Sequence, residues 1–376
     1  MMARRIVCLI LILIIVGAPQ AYANTAGVDG LTTVRGEVLE IVSHLKPSDL
    51  GVSEGALIQE RQIVKVKVTS GNYDGREFLI ENNLGNNVYY NIRVKEGDKV
   101  LLVVDTTTED IQVYISNFAR DRYEIMILLV FIALLLLVGR KKGIKAVVTL
   151  GITIFTILKI LVPAIIKGID PIGISIVGSI IITVLTLTIV SGFNRKSLSA
   201  ILGTLSGVFI AAMIAYVIGT GARLTGLHSE EAIMLMYIPG EVTLNLQGIL
   251  FAGILIGTLG AVMDVSMSIA SSMGEIRCIK KDITRRELFK SGMNVGQDVM
   301  GTMTNTLILA YTGASIPMLI VFSAYQVPFI EIVNLDIIAT EIIRAVAGSI
   351  GIVLSIPLTA AISSWMECWN RRNENG

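Results

Sequence analysis

From Ile125 onward, long apolar runs follow one another with only short polar breaks. A helix needs roughly 20 apolar residues to cross a bilayer. Seven stretches approach or exceed that length: about 124–139, 145–166, 171–191, 198–220, 246–270, 299–323 and 338–365. Backbone groups in lipid must be hydrogen-bonded within the element itself, so such runs read as helices. The expected fold class is therefore an α-helical polytopic membrane protein. With 53% hydrophobic and only 16% charged residues, the chain does not read as a soluble globular domain. A net charge of +1 without a basic block argues against a nucleic-acid partner. The last three runs carry Gly, Ser and Pro clusters, and tilting or interruption is expected there.

The first 122 residues differ. Residues 1–23 place Arg4 and Arg5 before the apolar core Ile6 to Val16 and end in Ala21-Tyr22-Ala23, the pattern of a cleavable secretory signal peptide. An uncleaved anchor is the alternative. Residues 24–122 are polar, with five alternating segments: Val34–Val42, Arg61–Val68, Arg76–Ile80, Lys99–Val104 and Ile111–Ile115. Ser70-Gly71-Asn72 and Glu96-Gly97-Asp98 supply turns. Five short strands suit an exported small β-barrel-like domain, with an OB-like form the simplest. Residues 123–376 form the transmembrane domain.

Lys and Arg are sorted. Arg140, Lys141, Lys142 and Lys145 follow the first span, Arg195 and Lys196 the third, and Arg277, Lys280, Lys281, Arg285, Arg286 and Lys290 the fifth. The tail adds Arg371 and Arg372, whereas the opposite loops hold only Lys167 and Arg223. By the positive-inside rule, the β domain lies outside and the C-terminus in the cytoplasm. Between spans four and five, Ser229-Glu230-Glu231 starts a short helix running to Met236 and ended by Pro239-Gly240. On the inner side, Thr284 and Glu287 have capping-box spacing and suggest a short cytoplasmic helix.

Two acids fall within or beside the apolar runs. Asp264 stands in GTLGAVMDVSMSIASS, from Gly257, and Asp298 in NVGQDVMGTMTNTLILAYTG, from Asn294. Charged groups at membrane depth are costly and point to function by default. Asp264 and Ser268 share a helix face, as do Asp298, Thr302 and, one step on, Asn305. On consecutive antiparallel spans these five would form a polar lining. Gly253, Gly257 and Gly260, like Gly203 and Gly207, have the spacing that lets helix backbones approach.

Three roles fit the acids. They bind or relay a cation or proton during transport, they form an aspartyl protease dyad, or they pair structurally with cytoplasmic Lys and Arg. No Gly-x-Gly-Asp motif stands at either acid, which weighs against the protease, and no enzyme activity is expected. In the last span, Glu341 and Arg344 are three apart and form either a simple ion pair or an outer gate. Pro317 and Pro357, each after Ser-Ile, are expected to break spans six and seven. Cys8, Cys278 and Cys368 lie in the leader or in cytoplasmic stretches and suggest no disulfide. His44 and His228 are far apart and lack any zinc-ligand context. The absence of a GxxxxGK[ST] motif argues against a built-in ATPase, and no cofactor or metal is expected.

GTLGAVMDVSMSIASS and GQDVMGTMTNTLILAYTG resemble the YibE/F-like family of multipass membrane proteins. The likeness extends to the leader and to the β segment with Ser70-Gly71 and Tyr73-Asp74-Gly75. It implies a bacterial plasma membrane location, and it carries over no catalytic residue and no substrate. The expected function is permease-like: cation- or proton-coupled transport of a small solute. The alternative is a membrane scaffold or assembly factor that recruits a partner through its exported domain. The expected partners are the lipid bilayer, a small solute or ion, and a paralogous chain or further copies of this one.

Overall fold

A computed structural model describes residues 30–45, 58–85, 91–107, 110–238 and 243–368. The leader with Cys8, the Pro239-Gly240 stop, Arg371 and Arg372 lie outside the described residues. The chain divides into two compact units at Leu134.

The first unit holds five antiparallel strands: β1 (Leu31–Leu45), β2 (Ile58–Val68), β3 (Glu77–Gly85), β4 (Lys99–Asp105) and β5 (Gln112–Phe118). Their order is β3-β2-β1-β4-β5, and β3 approaches β5 without being hydrogen-bonded to it. The sheet is thus an open half-barrel of the expected OB-like kind. Alternation puts Val34 and Val38, Val64, Val66 and Val68, and Val100, Leu102 and Val104 on one face, where they form the core. The strands run longer than expected, and β1 continues to Leu45 through two register shifts in its ladder with β2. Both expected turns are present. Ser70 Oγ accepts from Arg35 N at 2.8 Å, and Asp98 Oδ2 accepts from Lys95 N at 2.7 Å. Gly71 and Gly97 both adopt positive φ.

One polar side chain sits inside this core. Gln62 is 2% exposed; its amide donates to Val94 O at 3.1 Å, and its Oε1 accepts from Asn82 Nδ2 and Val94 N at 3.1 and 3.2 Å. Asn82 also donates to Ile92 O at 2.8 Å. The segment around residues 92–94, which belongs to no strand, is thereby tied to the sheet.

Helix α1 (Asp121–Phe155) continues through a π-helical turn (Thr156–Leu161) into α2 (Val162–Ile166). The first two expected spans therefore lie in one run of 46 residues. It is not straight. Arg140 has φ 48 and ψ −123, and Gly143 is brought against the carbonyl of Leu135. In a straight helix those two residues would be about 12 Å apart.

The second unit goes on with α3 (Pro171–Ser191), α4 (Arg195–Gly221), α5 (Glu230–Met234), α6 (Leu246–Ile279), α7 (Arg285–Ala324), α8 (Phe329–Asn334) and α9 (Asp336–Cys368). Among the described residues, six helical runs are long and apolar enough to cross a membrane. Helices α4, α6 and α9 pack on one another, with α3 against α6 and α7 against both α6 and α9. Leu255, Val262, Ile269, Ile352 and Ile356 lie at the centre. A Cβ on Gly207 would lie 2.9 Å from Gly351 O, so the α4 and α9 backbones touch.

Several expectations are corrected. Pro317 and Pro357 do not break their helices; α7 and α9 run through them for 40 and 33 residues. A membrane helix tolerates proline where neighbours re-satisfy the freed backbone group. The capping box at Thr284 is present, with Thr284 N donating to Glu287 Oε2 at 2.8 Å, but it opens the long α7 rather than a separate cytoplasmic helix. The short helix expected between spans four and five forms, with Ser229 Oγ accepting from Ala232 N at 3.2 Å.

Candidate functional site

Helices α6 and α7 run antiparallel, and their register can be read from two glycines. Gly292 stands against Met273, and Gly296 stands 3.1 Å from Ile269 Cδ1 in Cβ terms. Four residues up α7 thus correspond to four residues down α6. Continued by a turn and a half, this register sets Asp298 level with Met267 and Ser268, and Thr302 level with Met263 and Asp264. Asn305 falls level with Gly260. The five expected site residues therefore occupy a slab about two helical turns thick.

Each lies on the outside of the bundle. Asp264 and Ser268 are exposed on α6, and Asp298, Thr302 and Asn305 are exposed on α7. The inward side of α7 is formed instead by Gly292, Gly296 and Leu307, with Val299 and Met303 half-buried against the core. On α6 the exposed positions Gly253, Gly257, Gly260, Asp264 and Ser268 recur every three or four residues and form one stripe. The stripe borders α7, because a Cβ on Gly257 would lie 3.1 Å from Tyr311 Oη. The expectation that all three glycines bring helices together is not met within the chain: Gly253 and Gly260 face open space. Gly203 and Gly207 do serve that purpose, against Thr359, Ser355 and Gly351 of α9.

Among the described residues, neither Asp264 nor Asp298 has a hydrogen-bond or ion-pair partner. The nearby hydroxyls satisfy themselves locally: Thr302 Oγ1 donates to Val299 O at 2.9 Å, and Thr306 Oγ1 donates to Thr302 O at 2.8 Å. Their oxygen lone pairs remain open to a donor or cation. Two carboxylates with hydroxyls and an amide, all within about two helical turns, make a surface suited to a hard cation or a proton.

The expected pair in the last span is formed: Arg344 Nη1 donates to Glu341 Oε1 at 2.8 Å, with both side chains 22% exposed. Its surroundings leave no mark in the local sequence. Arg344 Nη2 lies 3.5 Å from His228 Nε2, and its guanidinium carbon lies 5.8 Å from the Tyr311 ring centre. Burial, and then the neighbouring Arg344 charge, lower the pKa of His228 below its ordinary value. This cluster joins the loop before α5 to α7 and α9. Among the described residues no group of three His, Cys, Asp or Glu is placed to hold a metal ion.

Comparison with known proteins gives two matches. A family model described as YibE/F-like protein matches residues 127–368, and one described as YibE/F family N-terminal domain matches residues 32–118. No curated protein and no solved structure matches.

Proposed function

The chain belongs to the YibE/F-like family, and we propose that it is a multi-pass permease-like protein that moves a small solute coupled to a cation or proton. Asp264 and Asp298, with Ser268, Thr302 and Asn305, form the coupling site in this reading. One observation carries it: both carboxylates are exposed on membrane-length helices without a cationic partner among the described residues. A purely structural role would have tied them to Lys or Arg, and lipid contact alone would leave each at a cost of about 2.5–3.5 kcal/mol. A cation, a proton, water or a neighbouring chain offsets that cost.

The proposed topology places the β domain outside and the C-terminus in the cytoplasm of a bacterial plasma membrane. The run Asp121–Ile166 would span about 70 Å as a straight helix, more than twice the hydrocarbon thickness. Its middle carries Arg140, Lys141 and Lys142, so the run crosses twice and turns at Arg140. Seven crossings then put each Lys/Arg-rich loop on one side.

The second reading, a scaffold that recruits a partner through the half-barrel, is favoured by exposed Leu39, Val42 and Leu79, at 40%, 52% and 66%. Cells carrying either Asp264→Asn/Asp298→Asn or a deletion of residues 24–122 separate the two. Transport requires the acids. A scaffold tolerates their isosteric loss and fails when the β domain is removed.

A further inference from the structure

We propose that the cleft between the first turn of α7 and the last turns of α9 binds the phosphate of an anionic phospholipid headgroup. The cleft is open, has a volume of ≈ 400 Å³ and is lined by Arg285, Arg286, Phe289, Ala361 and Ser364.

Both arginines are exposed, and neither has a hydrogen-bond or ion-pair partner among the described residues. Their position is electrostatically unfavourable as it stands. They occupy the first turn of a 40-residue helix, where the backbone dipole already presents positive charge and favours anions. The carboxylate in the same turn does not relieve them, because Glu287 accepts from Thr284 N and Oγ1, each at 2.8 Å, and from Lys280 Nζ at 3.2 Å. The two guanidiniums therefore form an excess of charge along an open cleft, with a donor geometry that matches phosphate oxygens.

The remaining walls select a lipid over a free ion. Phe289 is half-buried and Ala361 is apolar, while Leu288, next in the chain to Phe289, is fully buried. A phosphate held at the arginines would thus have an apolar wall beside it for the glycerol and first acyl carbons. If α7 and α9 cross the membrane as proposed above, the cleft lies where an apolar span gives way to charge, the level of the headgroups. Trp365, 47% exposed and one residue beyond Ser364, is the aromatic type found at that level.

The test uses the full chain in nanodiscs of phosphatidylcholine doped with phosphatidylglycerol, with retained lipid counted by native mass spectrometry. The wild type is expected to retain phosphatidylglycerol in preference to phosphatidylcholine. Arg285→Gln/Arg286→Gln is expected to weaken that retention by about tenfold or more, the worth of a lost charge-assisted contact. Lys281→Gln/Lys290→Gln removes the same charge outside the cleft and is expected to leave retention unchanged. Equal loss in both double variants, or none in the first, overturns the site. A second measurement needs no variant: millimolar inorganic phosphate is added to the wild type. Displacement of phosphatidylglycerol would make free phosphate the ligand and overturn the lipid assignment, whereas continued retention supports it. The outcome is independent of the Asp264 and Asp298 proposal, since neither acid touches the cleft.

Discussion

Gly207 of α4 and Gly351 of α9 meet backbone to backbone: a Cβ on Gly351 would lie 2.7 Å from Ala211 Cβ and 3.0 Å from Gly207 O. No side chain fits between the helices at this crossing. Gly207→Val is therefore expected to destabilise the helical unit by about 1–3 kcal/mol or prevent its folding, as overpacking does. Gly260→Ala, which adds a methyl where nothing lies within 4 Å, is expected to be neutral or stabilising by up to about 1 kcal/mol. Unfolding midpoints of the purified protein in one detergent compare the two.

Gln62 holds the segment around residues 92–94 against the sheet through Val94 and, by way of Asn82, Ile92. Gln62→Ala leaves Val94 N–H without its partner and opens a cavity, at an expected cost of about 1–3 kcal/mol. Hydrogen exchange should show the loss first at the Val94 amide, ahead of Val64 and Val66 in the same core.

Glu60 sits between His44 and Arg93. Burial pushes its carboxyl upward, but the hydrogen bonds from His44 and Arg93 outweigh burial and hold its pKa below the ordinary 4.5. A carboxylate lowered on folding adds stability that is present above its unfolded pKa and lost as pH falls through the folded value. Glu60→Gln is expected to lower stability at neutral pH and to converge on wild type in acid, so that the acid limb of the profile below about pH 4.5 is flattened. A profile identical to wild type would remove Glu60 from the acid response.

Glu341 and Arg344 are both mostly buried, and Arg344 also reaches His228 and Tyr311. Removing one partner leaves a charge with poor solvation, so each of Glu341→Gln and Arg344→Gln should cost more than half of the double change. The coupling is expected to be about 1–2 kcal/mol, between exposed and fully buried pairs. A double-mutant cycle on unfolding midpoints measures it.

What the sequence discloses here follows the range of each interaction. Alternation in β1, β2 and β4 marks the half-barrel because Val34, Val38, Val64, Val66, Val100 and Leu102 repeat with period two. Ser268 comes level with Asp298, and Asp264 with Thr302 one turn away, because 3.6-residue periodicity and a short connection fix both helices. Tertiary contacts were not legible. Nothing local says that Gly253 and Gly260 stand open while Gly207 is filled, since both stripes have the same spacing. Nor does any local pattern place His228 beside Arg344, 116 residues away. Pro317 reads as a break in water and is absorbed in a long apolar helix.

In the proposed mechanism Asp264 and Asp298 take up a cation or proton at membrane depth. Charge movement after proton, sodium or potassium concentration jumps, recorded from proteoliposomes of the full chain on a solid-supported membrane, tests it most directly. A transient current is expected for at least one of these ions, falling by about tenfold or more in Asp264→Asn and in Asp298→Asn, with unfolding midpoints unchanged. A wild-type current that persists in the double variant, or no current for any of the three ions, would contradict it.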